Sequence, residues 1–129
     1  MSGYTIVNLK EVEDQAPNFG MSPDLEARFA RVALDAELIG LTYQRFAPNF
    51  EVAFGHTHKT QEEVYLVISG SLRVKLGDEV KELGPWDAIR ISKETARGVA
   101  GGPEGAEVIA IVAPGGPGDA EIIEDFWKE

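Results

Sequence analysis

The chain contains no cysteine, which excludes disulfides, thiolate metal sites, iron–sulfur clusters and cysteine nucleophiles together. Histidine is almost as scarce, with two in 129 residues. Positive charge is in short supply as well: 12 Lys and Arg stand against 22 Asp and Glu, for a formal net charge of −10. No Lys/Arg cluster offers the positive face that a phosphate backbone requires, so no nucleic-acid partner is expected. No run approaches the roughly 20 apolar residues of a membrane span, and Met1-Ser2-Gly3-Tyr4-Thr5 lacks a basic start followed by an apolar stretch. The expectation is a cytoplasmic protein without a membrane partner. A glycine-rich phosphate loop is also missing, because the glycines sit in turns between strands rather than between a strand and a helix.

What is present reads as one all-β domain spanning residues 1–129. Thr5 to Leu9 alternates weakly, and Arg28 to Leu34 and Leu41 to Ala47 are extended runs with aromatic residues. Val64 to Ile68 is a continuous apolar run of the kind expected in a strand buried on both faces. Gly70 is expected to break it. Ser71 to Leu76 alternates strictly, and Gly77-Asp78 forms a hairpin turn into Glu79 to Leu83. After the Gly84-Pro85 turn come Ala88 to Ile91, a reversal at Ser92 to Thr95, a short strand near Arg97 to Ala100, and another over Glu107 to Val112. Turn signals at this close spacing point to a sandwich or barrel. Trp86, just past a turn, reads as a structural plug. Asp14 to Asp24, with two prolines, reads as a long loop placed to cover something. After the Pro114-Gly115-Gly116-Pro117-Gly118 break, Asp119 can cap a short helix whose Ile122, Ile123, Phe126 and Trp127 recur at helical spacing. The barrel core is expected over about residues 41–113, between an N-terminal arm (1–40) and a helical or irregular tail (114–129).

Both histidines lie in Gly55-His56-Thr57-His58, where strand periodicity sends His56 and His58 to one face, close enough to share an ion. Glu63 follows at the head of the apolar strand, and a reversal through Lys59-Thr60-Gln61 brings a carboxylate back toward the imidazoles. Two imidazoles and one carboxylate suit zinc, nickel, manganese or iron(II) and leave coordination positions for water or substrate. Glu62 competes with Glu63, because a one-residue change in the loop exchanges the faces. Tyr65 shares the face of Glu63. Gln44, with Tyr43 and Arg45 beside it, lies on a strand expected to contribute to the wall of a pocket. A serine-based triad lacks a serine partner for either histidine.

The stretch from Gly55 to Gly70, with its HxH, Glu63 and Gly70, resembles the first motif of the cupin superfamily. Leu83-Gly84-Pro85-Trp86-Asp87-Ala88 through Arg97 resembles the second. The resemblance covers about half the chain, from Ala47 to Val112. It implies a double-stranded β-helix, or jelly-roll barrel, commonly homodimeric, with any metal held inside by His56, His58 and Glu63. Where the second motif supplies a third histidine, this chain has Arg97. A guanidinium offers no lone pair to a metal. If Arg97 pointed inward within about 5 Å of a divalent ion, repulsion at an effective dielectric near 20 would be roughly 6 to 7 kcal/mol.

Three arrangements follow. Arg97 turns away from a three-ligand metal site, or pairs with Glu63 in a metal-free pocket, or clamps an anionic substrate lying between itself and the metal. The corresponding functions are a divalent-metal isomerase, lyase or dioxygenase acting on a small oxygen-rich or anionic substrate, and a non-enzymatic sensor or storage module with an Arg97–Glu63 pair. In both, Arg97, Tyr65 and Gln44 are the candidate ligand contacts, and fold alone does not choose between them.

Overall fold

The computed structural model describes residues 3–128. Eight strands dominate it: β1 (Leu25–Phe29), β2 (Gly40–Phe46), β3 (Gly55–His58), β4 (Glu62–Leu76), β5 (Glu79–Leu83), β6 (Ala88–Ile91), β7 (Arg97–Ala113) and β8 (Ala120–Ile123), with a single helical turn α1 (Arg31–Leu34) between β1 and β2. All pairings are antiparallel, along a path β1-β2-β7-β3-β8 to which β4, β5 and β6 are joined through β4. The sheet rolls up because β4 and β7 are long enough to serve both halves. The start of β4 pairs with the end of β7 and with β6, whereas the end of β4 pairs with the start of β7 and with β5.

That ladder is bent at its middle. The register shifts between Val67 and Ser69 and again between Gly70 and Leu72. Gly70 makes the bend, with φ +73°, and a Cβ there would lie 2.0 Å from the carbonyl oxygen of Gly105. Only glycine fits that geometry. Gly70 therefore bulges the strand where a break was expected, and Arg97 to Ala100 and Glu107 to Val112 belong to one strand, β7.

The side chains inside the roll form a single core that includes Phe46, Val67, Leu72, Val74, Val99 and Val108. Val64 to Ile68 is one-sided rather than buried on both faces: Glu63, Tyr65 and Val67 turn in, while Val64, Leu66 and Ile68 are half-buried outside. Among the described residues no further strand pairs over that outer face, so β-branched character here reflects strand propensity more than full burial.

The ends of the chain depart furthest from expectation. Thr5 to Asn8 pairs with no strand, and the Arg28 to Leu34 run divides into the end of β1 and the turn α1. The tail is not helical. Ala120–Ile123 pairs with β3, Gly55 facing Ile123 and His58 facing Ala120, because the open edge of β3 supplies ladder hydrogen bonds that outweigh a helical spacing of apolar residues. Trp86 is 72% exposed at the tip of a turn and plugs nothing. No helix among the described residues is long and apolar enough to cross a membrane.

Candidate functional site

The site is assembled by the short strand β3. His56 and His58 alternate inward from it, their rings meeting edge to face with centroids 4.9 Å apart. Gly55 must be small, because a Cβ there would meet the Phe126 ring at 2.5 Å and the Arg97 carbonyl oxygen at 2.7 Å. His56 faces Arg97 across the β3–β7 pairing, and Glu63 at the head of β4 completes the group. The Glu63 Oε1 atom lies 3.5 Å from His56 Nε2 and 3.7 Å from His58 Nε2. Glu62 points outward to Arg90, so of the two adjacent carboxylates Glu63 is the one that meets the imidazoles.

Glu63 is held from behind. Its Oε1 accepts hydrogen bonds from the Tyr65 hydroxyl at 2.8 Å and from Arg97 Nη1 at 3.1 Å. Burial by itself would push the Glu63 carboxyl up, but the two imidazoles and the Tyr65 hydroxyl outweigh it and bring the pKa down to about 2. The Tyr65 phenol is pushed well above its usual value by burial and by the Glu63 charge, so it stays protonated and donates. Arg97 is completely buried and spends its remaining donors on the carbonyl oxygens of Thr95 and Ser92. It has no exposed surface and does not line the cavity, so of the three arrangements the sequence allowed for Arg97 the structure has the pairing with Glu63 rather than the substrate clamp.

A residue that sequence reasoning placed elsewhere completes the arrangement. Asp119, expected as a helix cap, accepts from His58 Nδ1 at 3.0 Å and from the backbone N–H groups of Thr60 and Gln61. Burial opposes its ionisation, but the Thr60 hydroxyl, these backbone donors and His58 hold its carboxyl far below the usual range. With the Nδ1 proton directed at Asp119, the lone pair of His58 is on Nε2, which is buried and has no hydrogen-bond partner among the described residues. That orphaned nitrogen, His56 Nε2 and a Glu63 oxygen lie within 4.8 Å of one another, a spread suited to one divalent ion. The donor types and their spread fit a metal, against the opposing charge of Arg97, which is bonded to the same carboxylate. No signal local to Asp119 marks it, since its partners are about 60 residues away in sequence.

The group opens onto a cavity of about 540 Å³ between the two halves of the roll. Its lining is mostly apolar, with Leu25, Ala27, Val52, Phe54, Val99 and Ala110 among its walls, and Gln44 and Tyr65 line it as expected. Phe19 and Met21, from the Asp14 to Asp24 segment, also line it, so that loop does cover something. Tyr43 and Arg45 face away from the cavity, Tyr43 buried with its hydroxyl on Glu107 and Arg45 reaching Glu26.

No family model and no curated protein matches the sequence. Solved structures do match the fold. A cupin protein from Bacteroides fragilis is 18% identical with a TM-score of 0.73, covering 92% of this chain and 91% of its own. The polyketide cyclase RemF from Streptomyces resistomycificus is 23% identical with a TM-score of 0.73, covering 97% and 87%. A variant of PAC13 from Streptomyces, solved with uridine, is 16% identical with a TM-score of 0.77, covering 98% and 94%. The chain has the cupin fold, a double-stranded β-helix.

Proposed function

We propose that this chain is a small-molecule cupin that receives a mainly apolar ligand with an oxygen function turned toward His56 and His58, and that it works with a divalent ion held by His56, His58 and Glu63. The observation that carries this is the orphaned Nε2 of His58, set by Asp119 and buried beside two further donors. Bound there, zinc, nickel, manganese or iron supplies Lewis acidity toward a carbonyl or hydroxyl oxygen, which suits isomerase, lyase or dioxygenase chemistry. The protein's own contribution is positional. Asp119 fixes the tautomer of His58, Tyr65 and Arg97 fix Glu63, and the apolar walls keep water from the reacting end. The fold match to a cyclase and to a uridine-bound protein supports a small-molecule role without choosing the reaction.

Calorimetric titration of metal-stripped protein with zinc, nickel, manganese and iron(II) tests the reading. One-to-one binding that His56→Ala abolishes supports it; no stoichiometric binding by any of the four overturns it. A second reading, a metal-free ligand-binding module, is favoured by the Arg97–Glu63 pair, since Tyr65 and Arg97 together occupy both lone pairs of Glu63 Oε1. Under that reading Arg97→His creates metal affinity that the native chain lacks, whereas under the first it alters an affinity already present. The chain is further taken as a single cytoplasmic domain that forms a homodimer, the edge strands β1 and β8 supporting assembly. Sedimentation velocity tests the dimer.

A further inference from the structure

The cavity holds a second polar point that the metal group does not use. Gln44 lines the wall on β2, between Ala27 of β1 and Val108 of β7 in the ladder. Val108 in turn faces Val67 of β4, whereas Glu63 belongs to the row of Gly40 and Val112. Val108 and Val112 are four residues apart on β7, about 13 Å of strand at ~3.3 Å per residue. Gln44 therefore stands well away from the carboxylate of the proposed metal group, in apolar surroundings. Its amide makes no hydrogen bond to any described residue, and its Oε1 is shut off from solvent without a partner. Buried polar atoms without partners are uncommon and costly, and they occur where a bound molecule supplies the missing bond. A half-turn of the amide, which is soft about its terminal torsion, exchanges Oε1 and Nε2, so that the oxygen turns to the cavity side and the NH2 takes its former position.

We propose that Gln44 is a specificity-determining contact and that the ligand is an apolar, ring-containing molecule bearing a hydroxyl that donates to Gln44 Oε1, remote from the oxygen that meets His56 and His58. The proposal rests on the reading of the cavity as a small-molecule site, though not on the metal. Its components are the apolar walls, the aromatic rings of Phe19, Phe29 and Phe54 that line the same space, and the unsatisfied Gln44 acceptor, distinct from the orphaned His58 Nε2 of the metal group. The ladder neighbours of Gln44, Ala27 and Val108, are apolar, and outside the His56, His58 and Glu63 group the charged side chain of the lining is Arg31.

The test uses three probes of one shape, naphthalene, 2-naphthol and 2-methoxynaphthalene, titrated calorimetrically into the full chain with and without zinc. Native protein is expected to bind 2-naphthol about tenfold more tightly than the other two, the worth of one satisfied buried acceptor. In Gln44→Met, close in shape, and in Gln44→Leu, that preference is expected to vanish while naphthalene binding persists. Equal binding of all three probes by native protein overturns the role of Gln44 but leaves the cavity reading standing; binding of none overturns both. A preference that survives Gln44→Met also overturns it, since the hydroxyl is then satisfied elsewhere. Thermal unfolding without probe gives a readout independent of ligand. Removing an unpaired oxygen is expected to raise the Tm in Gln44→Met or Gln44→Leu, and a lowered Tm in both variants marks Gln44 as structural and overturns the assignment.

Discussion

Two carboxylate–guanidinium clusters, one inside the roll and one outside, use the same chemistry under opposite conditions. Inside, Glu63 meets Arg97, which has no exposed surface, and each of the three guanidinium nitrogens donates to a fixed acceptor. Outside, Glu26 on β1 takes Arg28 at 2.6 Å and Arg45 at 3.1 Å, but the Arg45 side chain is 42% exposed. The inner pair has lost its water and depends on each partner for compensation. The outer pair keeps solvent as an alternative. The difference identifies which ion pair sets geometry: the inner one holds the carboxylate that faces the histidines, while the outer one ties the edge strand β1 to its neighbour β2.

The largest effect expected from breaking this contrast is on the inner pair. Arg97→Met leaves Glu63 as an unpaired buried charge and frees the Thr95 and Ser92 carbonyls, so urea denaturation should show a loss of about 3–5 kcal/mol. The double variant Arg97→Met with Glu63→Gln should be less destabilised than the sum of the two single variants, because neither partner is then left charged and alone. A strictly additive result would mean that the two side chains are not coupled and that the inner cluster is only a coincidence of neighbours.

A smaller effect is expected one bond further out. Asp119→Asn keeps an oxygen for the Thr60 and Gln61 N–H groups, but its amide can turn an N–H toward His58 Nδ1 and favour the wrong tautomer. Metal affinity should fall by about 10–100-fold with little change in the unfolding midpoint. Titration calorimetry measures the first and thermal denaturation the second; unchanged affinity would remove Asp119 from the positioning role.

The contrast between these residues also explains what the sequence conveys. His56, His58 and Glu63 are legible because a strand's two-residue period and a short reversal keep their relation local. The hairpin at Gly77-Asp78 is legible for the same reason, and β5 follows it as expected. Asp119 reaches His58 across 61 positions, so its role depends on β8 pairing with β3, which no local pattern announces. Ile122 and Ile123 carry a helical spacing that this edge pairing overrides. Gly70 is visible as an interruption, but whether it ends a strand or bends one is decided by the backbone of Gly105 packed against it. The position of Arg97 was legible as a departure from a histidine. Its inward direction was fixed only by the register that sets it opposite His56.

The smallest effect belongs to the outer cluster, and pH brings it out. Burial raises the Glu26 pKa, but the hydrogen bonds and charges of Arg28 and Arg45 outweigh it, so the folded value lies below the ordinary 4.5. A depressed carboxylate pKa means that the unfolded chain binds the proton more readily. The stabilisation is therefore complete above pH 4.5 and is lost as pH falls from there through the lower folded value. Arg45→Met should cost under about 1 kcal/mol at pH 7. The gap between native and variant stability should narrow as pH drops below the ordinary Glu26 value, and at pH 7 it should shrink in added salt as the exposed guanidinium is screened. Urea titrations at pH 7, 4 and 3, each at low and high salt, measure both trends. A gap that is as large as that of Arg97→Met, or that is indifferent to salt, would show that the outer cluster is as desolvated as the inner one and would erase the distinction between them.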